Sequence, residues 1–475
     1  MKIRFQHLLA RRISGLLTAA MLTLALNTAV NAQPFADDAE FVTDELIVQF
    51  NTAASAQHLA DAVRRGAMTV KKHLPAAGKK RGDSGLVLFK TKLPVAQALA
   101  ELKNHPAVRY AEPNTLKRHQ SASNDPNYLS GKLWGMYGDQ TSPSNQYGCQ
   151  AGEAWAAGNV GPLDGSIYVA VIDQGIDINH PDLAANIGSN PGETPGNGID
   201  DDGNGYVDDV FGYDFVNNDN SVFDGGKEKD DHGTHVAGTI GAVGGNGLGV
   251  AGVCWNVKLL SGKFLGFKGG TVADEVEAIE YFIDLKQRHG LNIVAFNASY
   301  GGPRNLAEQI ALIHAAKAGI LIIAAAGNSG GSYTHYPASY DTSLDVIDTT
   351  SGAVVETGAT TTDGLPFDAV ISVAAIDSKG ALPSWSNWGS TRVDLGAPGN
   401  GILSTLPGGR YGSMYGTSMA TPHVTGACVL YLNSHPGAAP WEIKSAILGS
   451  TVPTPSLAGK TVTGGRLNVS GFFTP

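Results

Sequence analysis

The chain has 475 residues, 42% of them hydrophobic, enough for a large core plus a smaller module. It carries 43 Asp and Glu against 33 Lys and Arg, a formal net charge of −10. The imbalance is local. Residues 33–118 hold 13 basic and 9 acidic side chains (+4), and residues 119–475 hold 16 and 34 (−18), which argues against nucleic acid as a partner.

At the N-terminus, Lys2, Arg4, Arg11 and Arg12 precede an apolar stretch over Ile13–Leu26, and Val30-Asn31-Ala32 offers small residues for cleavage. Residues 1–32 therefore read as a signal peptide, and the protein is expected to be secreted, to periplasm or medium. The Arg11-Arg12 pair fits twin-arginine export and ordinary signals alike. The stretch is too short to span a bilayer comfortably, and no later segment has the unbroken apolar length of a span.

Residues 33–118 read as a small module. Strands are expected over Glu45–Phe50, Met68–Leu74, Gly85–Thr91 and Ala107–Glu112, with helices over Ala54–Arg65 and Val95–Asn104. The pattern is βαββαβ, a ferredoxin-like α+β arrangement. Lys117–Asn124 is a polar, uncapped linker.

From residue 119 onward strands and helices alternate, which predicts an α/β fold with a doubly wound, mostly parallel sheet. Ile167–Ile172 is apolar and β-branched, as a strand buried on both faces requires. Asp173 follows at its carboxyl end, where such sheets place their chemistry. A helix begins at His232, an acidic helix covers Ala273–Lys286, and Ile293–Asn297 is another core strand. Ile320–Ala325 delivers Asn328, and Ser418 starts a helix reaching about Asn433, with Pro422 near its first turn. No further module is expected after Gly464–Val469.

Four stretches carry chemistry. They are Val171–Asp177 (VIDQGID), Asp231–Thr239 (DHGTHVAGT), Ala325–Asn328 (AAGN) and Gly416–Val424 (GTSMATPHV). Ser418 at a helix mouth alone would be an ordinary N-cap, yet backbone N–H groups and the helix dipole there also suit an oxyanion. A serine hydroxyl needs a base, for which His232 is the candidate, and a buried Asp173 would fix the imidazole tautomer. His232-x-x-His235 lacks the Glu of a zinc protease motif, so His235 is read as structural. The serine block is Gly-x-Ser-x-Ala and the order is Asp, His, Ser, which excludes an α/β-hydrolase.

Together the four blocks resemble those of the subtilisin-like serine proteases, in that family's order, over nearly everything from Asn124 to the C-terminus. The resemblance implies a serine endopeptidase with Asp173, His232 and Ser418 as its triad and Asn328 as an oxyanion donor. It implies a peptide lying along Ser299, Tyr300, Gly301 and Gly302, beside Gly266–Gly270, with Gly327 also in the binding site. Val108–Asn114 (VRYAEPN) is similar to the end of the family's inhibitor-like propeptide. Residues 33–118 would then be a folding aid and intramolecular inhibitor, 119–475 the catalytic domain, and the Lys117–Asn124 linker the place of cleavage. Opposite charges favour docking of the two. Protein and peptide substrates are the expected partners, and the enzyme is expected to be a monomer.

Calcium is the expected cofactor, at two places. Asp200, Asp202, Asn204, Gly205 and Asp208 have EF-hand-like spacing, and Phe211 stands where the bidentate Glu belongs, so Asp209 or another acid must complete the shell. The candidate ligands are Asp200, Asp202, Asn204, Tyr206, Asp208 and Asp209; the alternative is a solvated acidic loop. By resemblance, Asp125, Asp182 and Asn246, with the carbonyls of Gly244, Leu248 and Val250, match a second calcium site.

About two dozen residues, Thr342–Phe367, interrupt the family's pattern and read as a surface hairpin near the specificity pocket; altered specificity and mere decoration both remain open. His335 falls near the expected pocket floor without an assigned preference. Cys428 is expected to be a buried thiol, and Cys149 and Cys254 either pair or stay free. The competing readings are a calcium-stabilised, non-catalytic binding protein on the same fold and a narrow processing protease with one partner. Intact Asp173, His232, Asn328 and Ser418 argue against the first, and few clustered carboxylates in the pocket-forming segments argue against strict basic-site processing.

Overall fold

The computed structural model describes residues 41–51, 53–74, 85–115, 123–225 and 230–473. The signal-peptide reading of residues 1–32 and most of the 117–124 linker lie outside them. The chain divides into two compact units, Met1–Lys117 and Arg118–Pro475.

The first unit runs β1 (Phe41–Phe50), α1 (Ala56–Arg65), β2 (Met68–His73), β3 (Leu86–Thr91), α2 (Val95–Leu102) and β4 (Val108–Thr115). Its sheet is antiparallel in the order β2-β3-β1-β4. Alternation along β1 and β3 puts Leu46, Val48, Val87 and Phe89 inside, where they meet Ala62, Val95, Ala98 and Leu102 from the helices. The Ser55 hydroxyl caps α1 by accepting from the His58 N–H.

The second unit opens with two short helices, α3 (Pro126–Leu129) and α4 (Ala151–Ala156). Its nine-stranded sheet contains β5 (Tyr168–Asp173), β6 (Gly212–Asp214), β7 (Lys258–Lys263), β8 (Ile293–Ala298) and β9 (Leu321–Ala325). An inserted hairpin, β10 (Val346–Ile347) and β11 (Val354–Glu356), stands apart from it. β12 (Val370–Ile376) and β13 (Leu395–Pro398) continue the sheet, β14 (Asn400–Leu406) and β15 (Arg410–Tyr415) form a separate hairpin, and β16 (Val452–Pro453) and β17 (Gly465–Arg466) close it.

The strand order is β16-β17-β13-β12-β9-β8-β5-β7-β6, with β16 alone antiparallel to its neighbour. Every residue of β8, β9 and β12 is buried, which is why these segments are almost wholly apolar rather than alternating, with Asn297 and Ser372 the polar exceptions. The larger helices are α5 (Asp231–Gly241), α6 (Val272–His289), α7 (Leu306–Lys317), α8 (Thr417–Ser434) and α9 (Pro440–Gly449). α5 packs on α8 and α6 on α7. From β5 the chain runs to the edge strand β6, comes back through α5 to β7, then crosses through α6 to β8 on the other side of β5. β5 and β8 thus stand side by side, and from β8 the strands run on through β9, β12 and β13 toward the other edge.

The inserted hairpin follows the length of α7. Tyr340, just before it, donates to the Asn305 carbonyl at the start of α7 (2.7 Å). At the other end, Glu356 of β11 pairs with Lys317 and His314 of the last turn of α7. That turn lies at the edge of the sheet away from the carboxyl ends of the strands. The base of the hairpin is thus anchored on the last turn of α7.

All three cysteines, Cys149, Cys254 and Cys428, are free and buried. Burial pushes the thiols of Cys149 and Cys254 up to about 12, so they stay protonated.

Candidate active site

Asp173 ends β5 and is fully buried. His232 is the second residue of α5, and its Nδ1 lies 2.8 and 3.0 Å from the two carboxylate oxygens of Asp173. Nδ1 therefore carries a proton toward the carboxylate, which leaves Nε2 as the basic nitrogen of the neutral ring. Burial lowers the pKa of His232, and the Asp173 charge and hydrogen bond more than reverse this, so it lies above the usual histidine value. Gln174 braces the pair: its N–H donates to Asp173 (2.7 Å) and its side chain accepts from the His232 N–H (3.3 Å).

Ser418 is the second residue of α8. Gly416 before it has φ +155°, a backbone that a side chain would strain, and this sharp entry brings the helix mouth against Asn328. The Asn328 Oδ1 accepts from both the N–H (2.9 Å) and the hydroxyl (3.0 Å) of Thr417. A backbone N–H can only donate, so the amide is oriented with its Nδ2 donor free. The Ser418 N–H, one of the helix's first-turn donors, likewise has no acceptor among the described residues. Two unpaired donors therefore flank the Ser418 hydroxyl.

The hydroxyl itself donates to the Ser299 carbonyl (3.0 Å). The reverse bond has a sequence cause. Pro422 lies inside α8 and has no N–H to give the Ser418 carbonyl four residues back, and the Ser299 hydroxyl donates to that carbonyl instead (2.9 Å). Ser299 is in turn held by Asn297 (2.9 Å), and Asn297 by Thr425 (2.8 Å). Asn297, Thr425, Thr417 and Gln174 were missed by sequence reasoning. A proline four residues after a serine at a helix mouth is the signal that could have pointed to a bound carbonyl.

Around these groups, Tyr300 packs edge-on against Phe264 at 4.6 Å. Gly302 is less available to a peptide than expected, because its N–H and carbonyl pair with Tyr336 (2.8 and 3.2 Å). Gly327 is similar: its N–H donates to the Thr417 hydroxyl (3.1 Å) and its carbonyl accepts from Asn387 (2.8 Å). The His335 ring lies against Gly301 and Gly327, so close that a Cβ on Gly301 would stand 2.2 Å from it. His235 is structural, with Nε2 2.9 Å from the Ile402 carbonyl, and burial lowers its pKa to about 3.

The two acidic sites differ. Asp125 and Asp182 are fully buried and come together with Asn246, whose Nδ2 donates to Asp182 (2.8 Å). Asp125 accepts from the N–H groups of Gly245 (2.8 Å) and Gly247 (3.0 Å), and burial raises its pKa. Neither acid has a Lys or Arg partner among the described residues, and nothing described donates to the carbonyls of Gly244, Leu248 or Val250. Two buried carboxylates beside unpaired carbonyls are oxygen groups of the kind that a hard cation takes as ligands.

In the 200–209 loop, the carboxylates of Glu193, Asp200 and Asp202 gather within 4.8 Å of one another, a group that could hold a metal ion. Asp208 and Asp209 are not among the three carboxylates gathered there. Asp208 turns away to accept from Asn197 (3.0 Å) and Gly198 (2.9 Å). Asp209 is buried beneath Tyr281 (2.6 Å), Asn190 (3.0 Å) and Asn204 (3.0 Å). Glu193, upstream of the loop, is the third acid of that group. Asn204 stays at the rim, its Oδ1 accepting from the Tyr206 N–H (2.8 Å).

The comparisons agree with this geometry. The model of the subtilase family matches residues 164–471, and that of the fervidolysin N-terminal prodomain matches residues 27–114. A thermophilic serine proteinase of Bacillus sp. (strain AK1) is 32% identical over 408 residues, 86% of this chain and 82% of that protein. Subtilisin E of Bacillus subtilis (strain 168) is 33% identical over 344 residues, 72% and 69% of the two chains. Subtilisin-like protease 1 of Plasmodium vivax is 34% identical over 307 residues, covering 63% of this chain and 46% of that one. The chain therefore belongs to the subtilase family: it is a subtilisin-type serine protease made as a precursor with an N-terminal prodomain.

Proposed function

We propose that the chain is a secreted, calcium-dependent endopeptidase that works through an acyl-enzyme on Ser418, with Asp173, His232 and Asn328 as its partners. One observation carries the reading. A buried Asp173 holds His232 through Nδ1, while the helix bearing Ser418 opens beside two unpaired donors, Asn328 Nδ2 and the Ser418 N–H. In the reaction, Ser418 turns from the Ser299 carbonyl toward His232, and Nε2 takes the hydroxyl proton as Oγ bonds to the substrate carbonyl carbon. The negative oxygen lies between the two donors. The C–N bond then breaks, Nε2 returns the proton to the leaving amine, and water repeats the sequence to release the acid. Losing one oxyanion donor costs about 10²–10³ in kcat in subtilisin, a relative of this chain.

The peptide is bound along Ser299–Gly301, and the first unit serves as an inhibitor removed by self-cleavage within 117–124. Calcium would be held by Asp125, Asp182 and Asn246, and by Glu193, Asp200 and Asp202. It supplies countercharge there and takes no part in the bond-breaking steps. The reading is tested by incubating the purified precursor and its Ser418→Ala variant with calcium, then recording intact mass and a peptide-library digest. The normal chain should lose its first unit and cut peptides while the variant stays whole. Equal processing in both, or no cleavage by either after removal of the first unit, would refute it.

A further inference from the structure

We propose that Lys263 is a positioning residue for the Asp173–His232 pair, joined to both partners at once. Its ammonium is almost wholly buried, 2.7 Å from Asp224, 2.7 Å from Asp230 and 3.8 Å from Asp214. Asp230 is the N-cap residue of α5, two positions before His232, and its carbonyl accepts from the Thr234 N–H (3.2 Å). The side chain of Lys263 thus grips the start of the helix that carries His232. Its backbone faces the other partner. Lys263 stands opposite Asp173 in the parallel ladder, and the next two N–H groups, of Phe264 and Leu265, both donate to the Asp173 carbonyl (3.0 and 3.2 Å).

The acids around the ammonium are otherwise satisfied. Asp214 accepts from Val216 (2.8 Å), the Asn217 N–H (3.0 Å) and the Asn217 side chain (2.9 Å), and Asp230 accepts from the Asp224 (2.7 Å) and Gly225 (3.2 Å) N–H groups. Lysine is the cation this cluster is built around. Gly175 shows how tight the junction is. At φ +124°, a Cβ there would stand 2.6 Å from the Val222 carbonyl and 3.1 Å from both Asp230 Oδ1 and Lys263 Cδ. Burial lowers the Lys263 pKa and its carboxylate partners more than restore it, so the charge is retained. Without that charge, the start of α5 is free to shift relative to Asp173, and the Nδ1 hydrogen bond loosens.

The inference rests on the triad reading above, and the test separates the two. The mature enzyme, Lys263→Met and Asp230→Asn are each titrated with a serine-directed fluorophosphonate, and kcat and KM are expressed per titrated site across pH. For Lys263→Met we expect kcat per titrated site to fall about tenfold to a hundredfold, with KM changed by less than about twofold. The acid limb of kcat/KM should move about half a pH unit lower, because His232 loses part of its countercharge. Asp230→Asn should move the same quantities in the same direction by less, and it decides the matter alone if Lys263→Met does not fold. Variants with lowered thermal stability but unchanged kcat per site and an unmoved acid limb would overturn the proposal. Failure of the unaltered enzyme to titrate would count against the triad itself.

Discussion

Two clusters of buried aspartate in the second unit face one electrostatic problem and solve it differently. Asp214 and Asp230 are fully buried and surround the ammonium of Lys263. Asp125 and Asp182 are equally buried, with no Lys or Arg against them among the described residues. A buried charge needs a counterion, so the first cluster is complete as synthesised, whereas the second would draw on the proposed calcium. The complete cluster lies at the catalytic carboxyl ends of β5 and β7. The other accepts hydrogen bonds from Gly245, Asn246 and Gly247 of the glycine-rich loop. The proposed division of labour is that the chain supplies its own cation beside Asp173 and His232 and would borrow one at the glycine-rich loop around Asn246.

The largest effect expected is on turnover. Asn328→Ala should lower kcat about 10²–10³-fold with little change in KM, checked by steady-state kinetics at saturating calcium. A comparable loss on removing a calcium ligand would erase the distinction drawn here. Lys263→Met should cost about 3–5 kcal/mol of stability through the uncompensated buried acids, and by the same amount with or without chelator in urea denaturation. A chelator-dependent cost would mean that metal also serves this cluster.

Removing calcium from the unaltered mature protein, kept inactive with a serine-directed inhibitor, should cost about 2.7 kcal/mol relative to a hundredfold excess over Kd. Asp182→Asn should remove most of that increment yet be neutral or slightly stabilising in chelator, since it relieves one of two like charges. A variant that loses stability equally in both conditions would contradict the borrowed-cation account.

The smallest effect concerns pH. The folded-state pKa of Asp125 is raised by burial, so in chelator this acid binds protons more readily in the native state. Its contribution is present at low pH and lost as pH rises through that raised value. Stability gained from calcium should therefore shrink as pH falls from 7 toward 5, because protons compete for the same oxygens. His232 acts in the opposite functional sense. Its pKa is raised, and the neutral ring is the base, so kcat/KM should fall on acidification through a value above that of free histidine.

Much of this was legible in the sequence because the decisive groups sit where local pattern ends. The apolar run of β5 stops at Asp173, the small-residue helix starts at His232, and Gly416 announces the turn before Ser418. The βαββαβ order of the first unit followed from the same alternation. What was not legible arises from contacts between distant segments. Glu193 completes an acidic group whose spacing pointed to Asp209, because Tyr281 on α6 captures Asp209 first. The exchange of hydrogen bonds between Ser299 and Ser418 needs both the approach of β8 and the missing N–H of Pro422. Lys263 ends the strand β7, and nothing local reveals that three aspartates from earlier segments will enclose it.

The most direct test of the central claim is covalent. The mature enzyme in calcium is treated with a serine-directed fluorophosphonate and the modified residue is located by peptide mass mapping, alongside His232→Ala. The account predicts one adduct per chain, on Ser418, formed with loss of activity and much slower in the variant. An adduct elsewhere with Ser418 unmodified, or no adduct in a folded, calcium-loaded protein, would contradict it.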